Sequence, residues 1–206
     1  MGEEAEIPGF ETKPMPFGKF INKEFVVMMT DIRKSSEIIA GLNGEEVMFK
    51  IFYAYSGVVA NIVDKNFGTS TEFLGDGIIN LFEVDYNLDE SFRRSMCSAR
   101  DILFARKNIL NPIFLANNLP QIDIGIGIDH GLTIVTRFGH KTDNDLKAFG
   151  KCVYNVTKLS KGINNIMTSE SAQINWPVGE GGQINFLPSN DSEGNFAYQI
   201  YDRAAD

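Results

Sequence analysis

Histidine and cysteine are scarce in this 206-residue chain, with two of each. Cys97 and Cys152 are too few for a disulfide framework and show no metal-ligand spacing, so both are expected as small buried thiols in a reducing cytosol. His130 and His140 each stand beside a glycine, without a nucleophile or metal partner at motif spacing, and read as solvent-exposed turn residues. Long hydrophobic runs are also missing. No stretch of about 18 apolar residues occurs, and the acidic start MGEEAEIPGF is unlike a signal peptide, so the expectation is a cytoplasmic chain without a membrane span. Positive charge is in deficit: a net charge of −8 argues against polynucleotide or anionic lipid as the main partner. A small anionic ligand would need a local cationic patch or a metal ion.

What is present is ordinary globular text, 43% hydrophobic and 22% charged, long enough for one sizeable core. Residues 1–22, rich in Pro, Gly and acids, read as an N-terminal arm, and residues 23–206 as one domain. EFVVMMTDI, from Glu24, is a continuous apolar run that suits a buried strand. SSEIIAGLNGEEVMFKIFYAYSGVVANIVDKNFG then reads as helical text, with Val47, Ile51, Tyr55, Val58, Val59 and Ile62 recurring at helical spacing and Gly68 as a stop. SFRRSMCSARDILFARKNIL reads as a second helix, limited or kinked by Pro112. In QIDIGIGIDHGLTIVTRFG, Ile122, Ile124, Ile126 and Ile128 alternate as a strand, and Gly131 marks a turn into a partner strand, Leu132–Phe138. GHKTDNDLKAFG reads as a polar loop, CVYNVTKLSKGI as a short helix, and IMTSESAQI as a strand running into a turn. DSEGN is a hairpin loop and FAYQIYD a closing strand. The order β-α-β-β-α-β-β-α-β describes an α/β (α+β) sandwich, helices packed on a mainly antiparallel sheet.

One joint stands out: TEFLGDGIIN, an aspartate between two glycines inside an apolar run. By itself Asp76 is a turn residue at a hairpin tip. Asp31 gives it a partner, because it ends the first strand just before a helix start. Adjacent antiparallel strands bring the two together, and two carboxylates about 4–6 Å apart repel unless a cation neutralises them. The backbone N–H groups of Ile32, Arg33, Lys34, Ser35 and Ser36 are placed to hold phosphate oxygens beside that cation.

From Glu24 to Asp202 the chain resembles the catalytic domain of the class III nucleotidyl cyclases. The resemblance is carried by FVVMMTDIRKSSE, NFGTSTEFLGDGIINLF, IDIGIGIDHGLTIVTRFG and FGKCVYNVTKL in that order. It implies a ferredoxin-like βαββαβ core and a head-to-tail homodimer whose two sites lie at the interface. It also implies two Mn²⁺ or Mg²⁺ ions per site, held by Asp31, Asp76 and the Ile32 carbonyl. The implied reaction closes a nucleoside triphosphate into its 3′,5′-cyclic monophosphate. The family's Asn and Arg of the last motif fall on Tyr154 and Lys158, with Asn155 one step along. Arg137, Lys151 and Lys161 are further candidate phosphate cations, the last two reading first as solvated lysines. The base-reading positions are Glu72 and, expected from the other subunit, Lys147. Acceptor and donor there suit uracil or guanine alike. An aromatic of the arm, Phe17 or Phe20, is a candidate to cover the base. In its short layout and altered last motif, the chain is similar to the stand-alone pyrimidine (uridylate/cytidylate) cyclases of bacterial Pycsar anti-phage systems. That likeness implies UTP, or else CTP, as substrate, and a separate effector for the product. A purine cyclase, with Glu72 pointing to GTP, and a degenerate nucleotide-binding domain are the alternatives.

Overall fold

A computed structural model of the chain describes residues 18–85, 87–140, 143–177 and 184–202. Most of the expected arm, Phe17 included, lies outside the described residues. Strand β1 (Phe20–Ile32) starts before the apolar run that announces it. Its side chains alternate: Val26, Met28 and Ile32 enter one core layer, while Phe25, Val27 and Met29 enter the other. Burial on both faces is why this strand is apolar throughout.

Helices α1 (Ser35–Ile39) and α2 (Gly44–Lys65) follow, then β2 (Thr69–Leu74), β3 (Gly77–Glu83) and α3 (Leu88–Ala105). A π-helical turn over Arg106–Leu110 leads into α4 (Asn111–Ala116). Next come β4 (Ile124–His140), β5 (Asp143–Phe149), α5 (Lys151–Leu159), β6 (Ile166–Ser169) and α6 (Glu170–Ile174), with β7 (Ile184–Asn190) and β8 (Phe196–Asp202) closing the chain. The sheet order is β2-β3-β1-β4-β6-β8-β7, with β5 paired to β4. Its first half is the expected βαββαβ core, every pair antiparallel; β4–β6 is the parallel pair. Met48, Ile51, Tyr55, Val59 and Val63 of α2 join Phe92, Met96 and Ala99 of α3 in one core layer. Cys152, Val153 and Val156 of α5 cover the opposite face of the sheet. Among the described residues α2 is the one helix long and apolar enough to cross a membrane, and those five side chains pack it into the core.

Several expectations need correction, the buried Cys97 thiol among them, since Cys97 is exposed. The first helical text is two helices, broken where Asn43 adopts a left-handed φ of 54°. Around Pro112 the α-helix is interrupted: α3 ends at Ala105, a π turn follows, and Pro112 stands in the first turn of α4, where proline is tolerated. Gly131 is not a turn. β4 runs straight through it, because β1 pairs with β4 without a break from Phe20↔Thr136 to Ile32↔Ile124, Phe25 opposite Gly131. Of the expected polar loop, Gly139 and His140 end β4, and Asp143–Phe149 form β5. His130 accordingly lies in a strand, its side chain only 13% exposed and its ring 5.8 Å from that of Phe92.

Candidate active site

Two strand ends and a helix end build the site. Leu74 pairs with Gly77, so β2 and β3 are joined by the two residues Gly75 and Asp76. Gly75 has a φ of +63°, the conformation the first position of such a tight hairpin turn requires. The turn is fastened to the end of β1 from two directions: Ile32 N–H donates to the Asp76 carbonyl at 3.0 Å, and the Ser35 hydroxyl donates to the Asp76 carboxylate. Asp31, opposite Gly77 in the β1–β3 register, is 1% exposed. The two expected carboxylates are thus neighbours at one end of the sheet.

Opposing influences act on the Asp31 carboxyl. Burial pushes its carboxyl above the ordinary range, the Lys161 ammonium pulls it down, and the nearby charge of Asp76 pushes it up again. Arg33 and Lys161 both donate to Oδ2, Lys161 from 3.1 Å, while Oδ1 is buried without a partner among the described residues. Two further buried hydroxyls, those of Thr30 and Tyr55, lie close behind, and burial raises the Tyr55 phenol far above its usual range. Among the described residues no three His, Cys, Asp or Glu side chains come together. Two carboxylates with an unused buried oxygen still fit a hard divalent cation of the Mg²⁺ or Mn²⁺ type, which takes oxygen ligands and completes its shell with carbonyls, water or phosphate. Asp31, Asp76 and the Ile32 carbonyl are the groups that would hold it.

Lys161 reaches Asp31 because the end of α5 settles onto β4. At Gly125, opposite Asp31, any Cβ would meet the Ser160 carbonyl oxygen at 2.1 Å, so only glycine admits the segment carrying Lys161. The alternation IGIGI signals this close approach, though not which side chain it delivers.

Other expected positions fall in different places. The N–H groups of Ile32 and Arg33 are not free for phosphate: they donate to the Asp76 and Asp123 carbonyls, at 3.0 and 2.8 Å. Arg33 turns its guanidinium onto Asp31. Lys34 takes a left-handed φ of 58°, and Ser35 and Ser36 open α1. Glu72 and Lys147 meet inside one chain, correcting the expectation of a cross-subunit pair. The sheet brings β5 against β2, and Glu72, 8% exposed, accepts Lys147 Nζ at 3.1 Å and the Ala148 N–H at 2.8 Å. Asn155 points inward, donating to buried Asp129 at 2.7 Å, so the helix rotation that would present it does not occur. Tyr154 is exposed, and Lys158 lies 4.9 Å over its ring and pairs with Glu193. Phe20 and Arg137 sit at the other end of β1 and β4 from Asp31, Phe20 exposed and opposite Thr136. The Asp31–Lys161 pair and the buried hydroxyls of Thr30 and Tyr55 carry no motif; a lysine 130 residues away has no sequence signal for that role.

No protein-family model matches the chain. Uncharacterized proteins of Mycobacterium tuberculosis and Mycobacterium bovis are each 22% identical over 192 residues, covering 87% of this chain and 34% of theirs. The chain therefore spans about a third of the length of these curated relatives. Among solved structures, the adenylyl cyclase CyaB from P. aeruginosa superposes with a TM-score of 0.74 at 20% identity, over 89% of this chain and 96% of that one. The guanylyl cyclase Cya2 gives 0.73 at 20% identity, over 88% and 92%. The GTP complex of the guanylate cyclase domain of RhGC from Catenaria anguillulae gives 0.68 at 17%, over 90% and 100%. A β4-β1-β3-β2 core with helices on both faces and two aspartates at one end has the fold of the class III adenylyl/guanylyl cyclase catalytic domain.

Proposed function

We propose that this chain is a cytoplasmic, homodimeric nucleotidyl cyclase that converts a pyrimidine nucleoside triphosphate, UTP ahead of CTP, to its 3′,5′-cyclic monophosphate and diphosphate. The observation that carries the reading is the meeting of Asp31 and Asp76 at the end of a cyclase-type sheet, with a buried carboxylate oxygen left unpartnered. Bound divalent cations would supply Lewis acidity at the ribose 3′-hydroxyl and at the departing diphosphate. Asp31 and Asp76 would hold that charge in place, and the Ser35 hydroxyl orients the Asp76 carboxylate. The 3′-oxygen bonds to the α-phosphorus as the bond to the β-phosphate bridge breaks, and its proton leaves to water. Tyr154 and Lys158 of the second subunit complete the site, Lys158 as a point charge without the fork of an arginine.

The base preference rests on Glu72 and Lys147. Each Glu72 oxygen accepts one hydrogen bond from within the chain and its side chain is 8% exposed, so the more accessible group for a base is the Lys147 ammonium, whose side chain is 28% exposed. That donor suits a ring edge rich in carbonyls. Uracil presents two carbonyls and one N–H, whereas guanine presents one carbonyl beside an N1–H and an amino group that both need acceptors, so a site led by a donor leans toward uracil. The proposed use of the product is as a second messenger in anti-phage defence, read by a separate cyclic-nucleotide-responsive effector. Its support is the chain's resemblance in layout to the Pycsar cyclases.

A second reading, a domain that binds nucleotide without turning it over, is favoured by the engagement of Lys158 with Glu193 and of Asn155 with Asp129. Incubating the protein with ATP, GTP, CTP and UTP separately, with Mn²⁺, and resolving products by chromatography and mass decides among these. Cyclic UMP is the expected product. Cyclic GMP would return the base choice to Glu72, and no product from any substrate would favour the binding domain.

A further inference from the structure

Lys161 stands just beyond α5, and its ammonium rests on Asp31 Oδ2, the oxygen that Arg33 also holds. The two cations differ in how they are held. Arg33 belongs to the same segment as Asp31 and is 21% exposed; Lys161 arrives from across the sheet and is 40% exposed. A cleft of about 340 Å³, lined by Lys158, Asn165 and residues 189–192, lies beside Lys161. The lysine therefore has room to withdraw its head without any movement of the backbone that Gly125 admits. With two carboxylates and two side-chain cations in place, the cluster is close to neutral. A divalent ion entering it gains little until one cation departs, because like charges a few ångströms apart repel strongly away from bulk water. The ammonium on a flexible, partly solvated stem is the one that leaves at least cost.

We propose that Lys161 is a tethered competitor for the divalent cation: it occupies Asp31 in the metal-free chain, is displaced into the adjoining cleft on loading, and so sets the cation concentration at which the site fills. The inference rests on the reading of Asp31 and Asp76 as metal ligands. It also makes metal loading a signal to the α5–β6 segment, since the bond that loading breaks ties that segment to β1.

The test is a titration of the nucleotide-free protein with Mn²⁺, following the free-ion signal by electron paramagnetic resonance. It compares the unaltered chain with Lys161→Met, Lys161→Gln, Lys161→Arg and Asp31→Asn. Removing the competitor is expected to tighten Mn²⁺ binding about three- to tenfold in both neutral variants, the range set by a partly solvated ion pair. Lys161→Arg, which keeps the charge, is expected to stay within about twofold of the parent. Unchanged or weakened affinity in Lys161→Met and Lys161→Gln, with melting temperatures like the parent's, overturns the proposal while leaving the metal site standing. Binding that survives Asp31→Asn, or none in any protein, overturns the metal reading itself and this inference with it.

Discussion

Two hairpins of the sheet carry an aspartate at the tip, and they use it in opposite ways. In the β7–β8 turn, Asp191 accepts the N–H groups of Glu193 and Asn195 at 2.8 and 2.9 Å and the Asn195 amide at 3.0 Å. Slight burial pulls its carboxyl upward, but those hydrogen bonds outweigh it and hold the group below the ordinary range. In the β2–β3 turn, Asp76 accepts from Ser35 on another segment and faces Asp31, whose carboxyl is pushed up chiefly by burial. An aspartate that binds its own turn builds the turn. One that sits beside a second carboxylate is placed to share a ligand with it, the role proposed above for Asp76.

The largest effect that would break this contrast is on turnover. Asp76→Ala is expected to leave a folded chain, its melting temperature within a few degrees of the parent's, and to cost about a thousandfold or more in cyclisation. That figure follows from several kcal/mol of lost cation placement at about 1.4 kcal/mol per decade. Initial rates with UTP and Mn²⁺, set beside a thermal melt, measure both. A variant that unfolds instead would make Asp76 a turn builder like Asp191.

Asp191→Ala should do the reverse. Losing three hydrogen bonds to a largely solvated carboxylate is expected to cost about 1–2 kcal/mol, or a fall of about 3–6 °C for a chain of this size, while Asp31-dependent Mn²⁺ binding persists. Because the folded-state pKa is depressed, the stabilisation is present above the ordinary aspartate value of 3.8 and fades as pH falls through the folded value. Parent and variant melts should therefore converge in acid. Asp31→Asn is expected to change stability by less and with the opposite sign. A raised folded-state pKa means that the ionised group opposes folding at neutral pH, so the neutral amide should raise the melting temperature by a degree or two. That gain should shrink as pH falls below the raised value and vanish below 3.8, where the parent is protonated in both states. A fall in melting temperature at neutral pH would show that Arg33 and Lys161 recover more from Asp31 than burial costs it.

The core and the two carboxylates were legible in the sequence because each has a local signature. Apolar runs and helical spacing mark β1, α2 and α3, and G-D-G marks the tip carrying Asp76. What was not legible is what the fold brings together from far apart. Lys161 on Asp31 and Lys147 on Glu72 are long-range pairs, set by how closely α5 and β5 approach the sheet. Asn155 was misplaced because its direction depends on the rotation of α5, which Cys152, Val153 and Val156 fix by burying. Gly131 misled for a third reason. Glycine in an alternating run is a fair turn signal, yet the length of β1 overrides it by supplying a partner residue at every step of β4.

Gly131 also gives the finest test of that override. In a tight hairpin its φ would be positive, and a Cβ there would cost more than 1 kcal/mol. In the continuous β4 its φ is outside the left-handed region, and a Cβ would meet Cys152 Sγ at 3.7 Å, an ordinary contact. Gly131→Ala is then a change at a compatible site, where losing the conformational freedom of glycine in the unfolded chain stabilises by about 0.4–1 kcal/mol. The expected result is a melting temperature unchanged or raised by about 1–3 °C, with the same fold by circular dichroism. A drop of several degrees would mean that the chain bends at Gly131. The long β1–β4 ladder, which sets Gly125 opposite Asp31, would then lose its register.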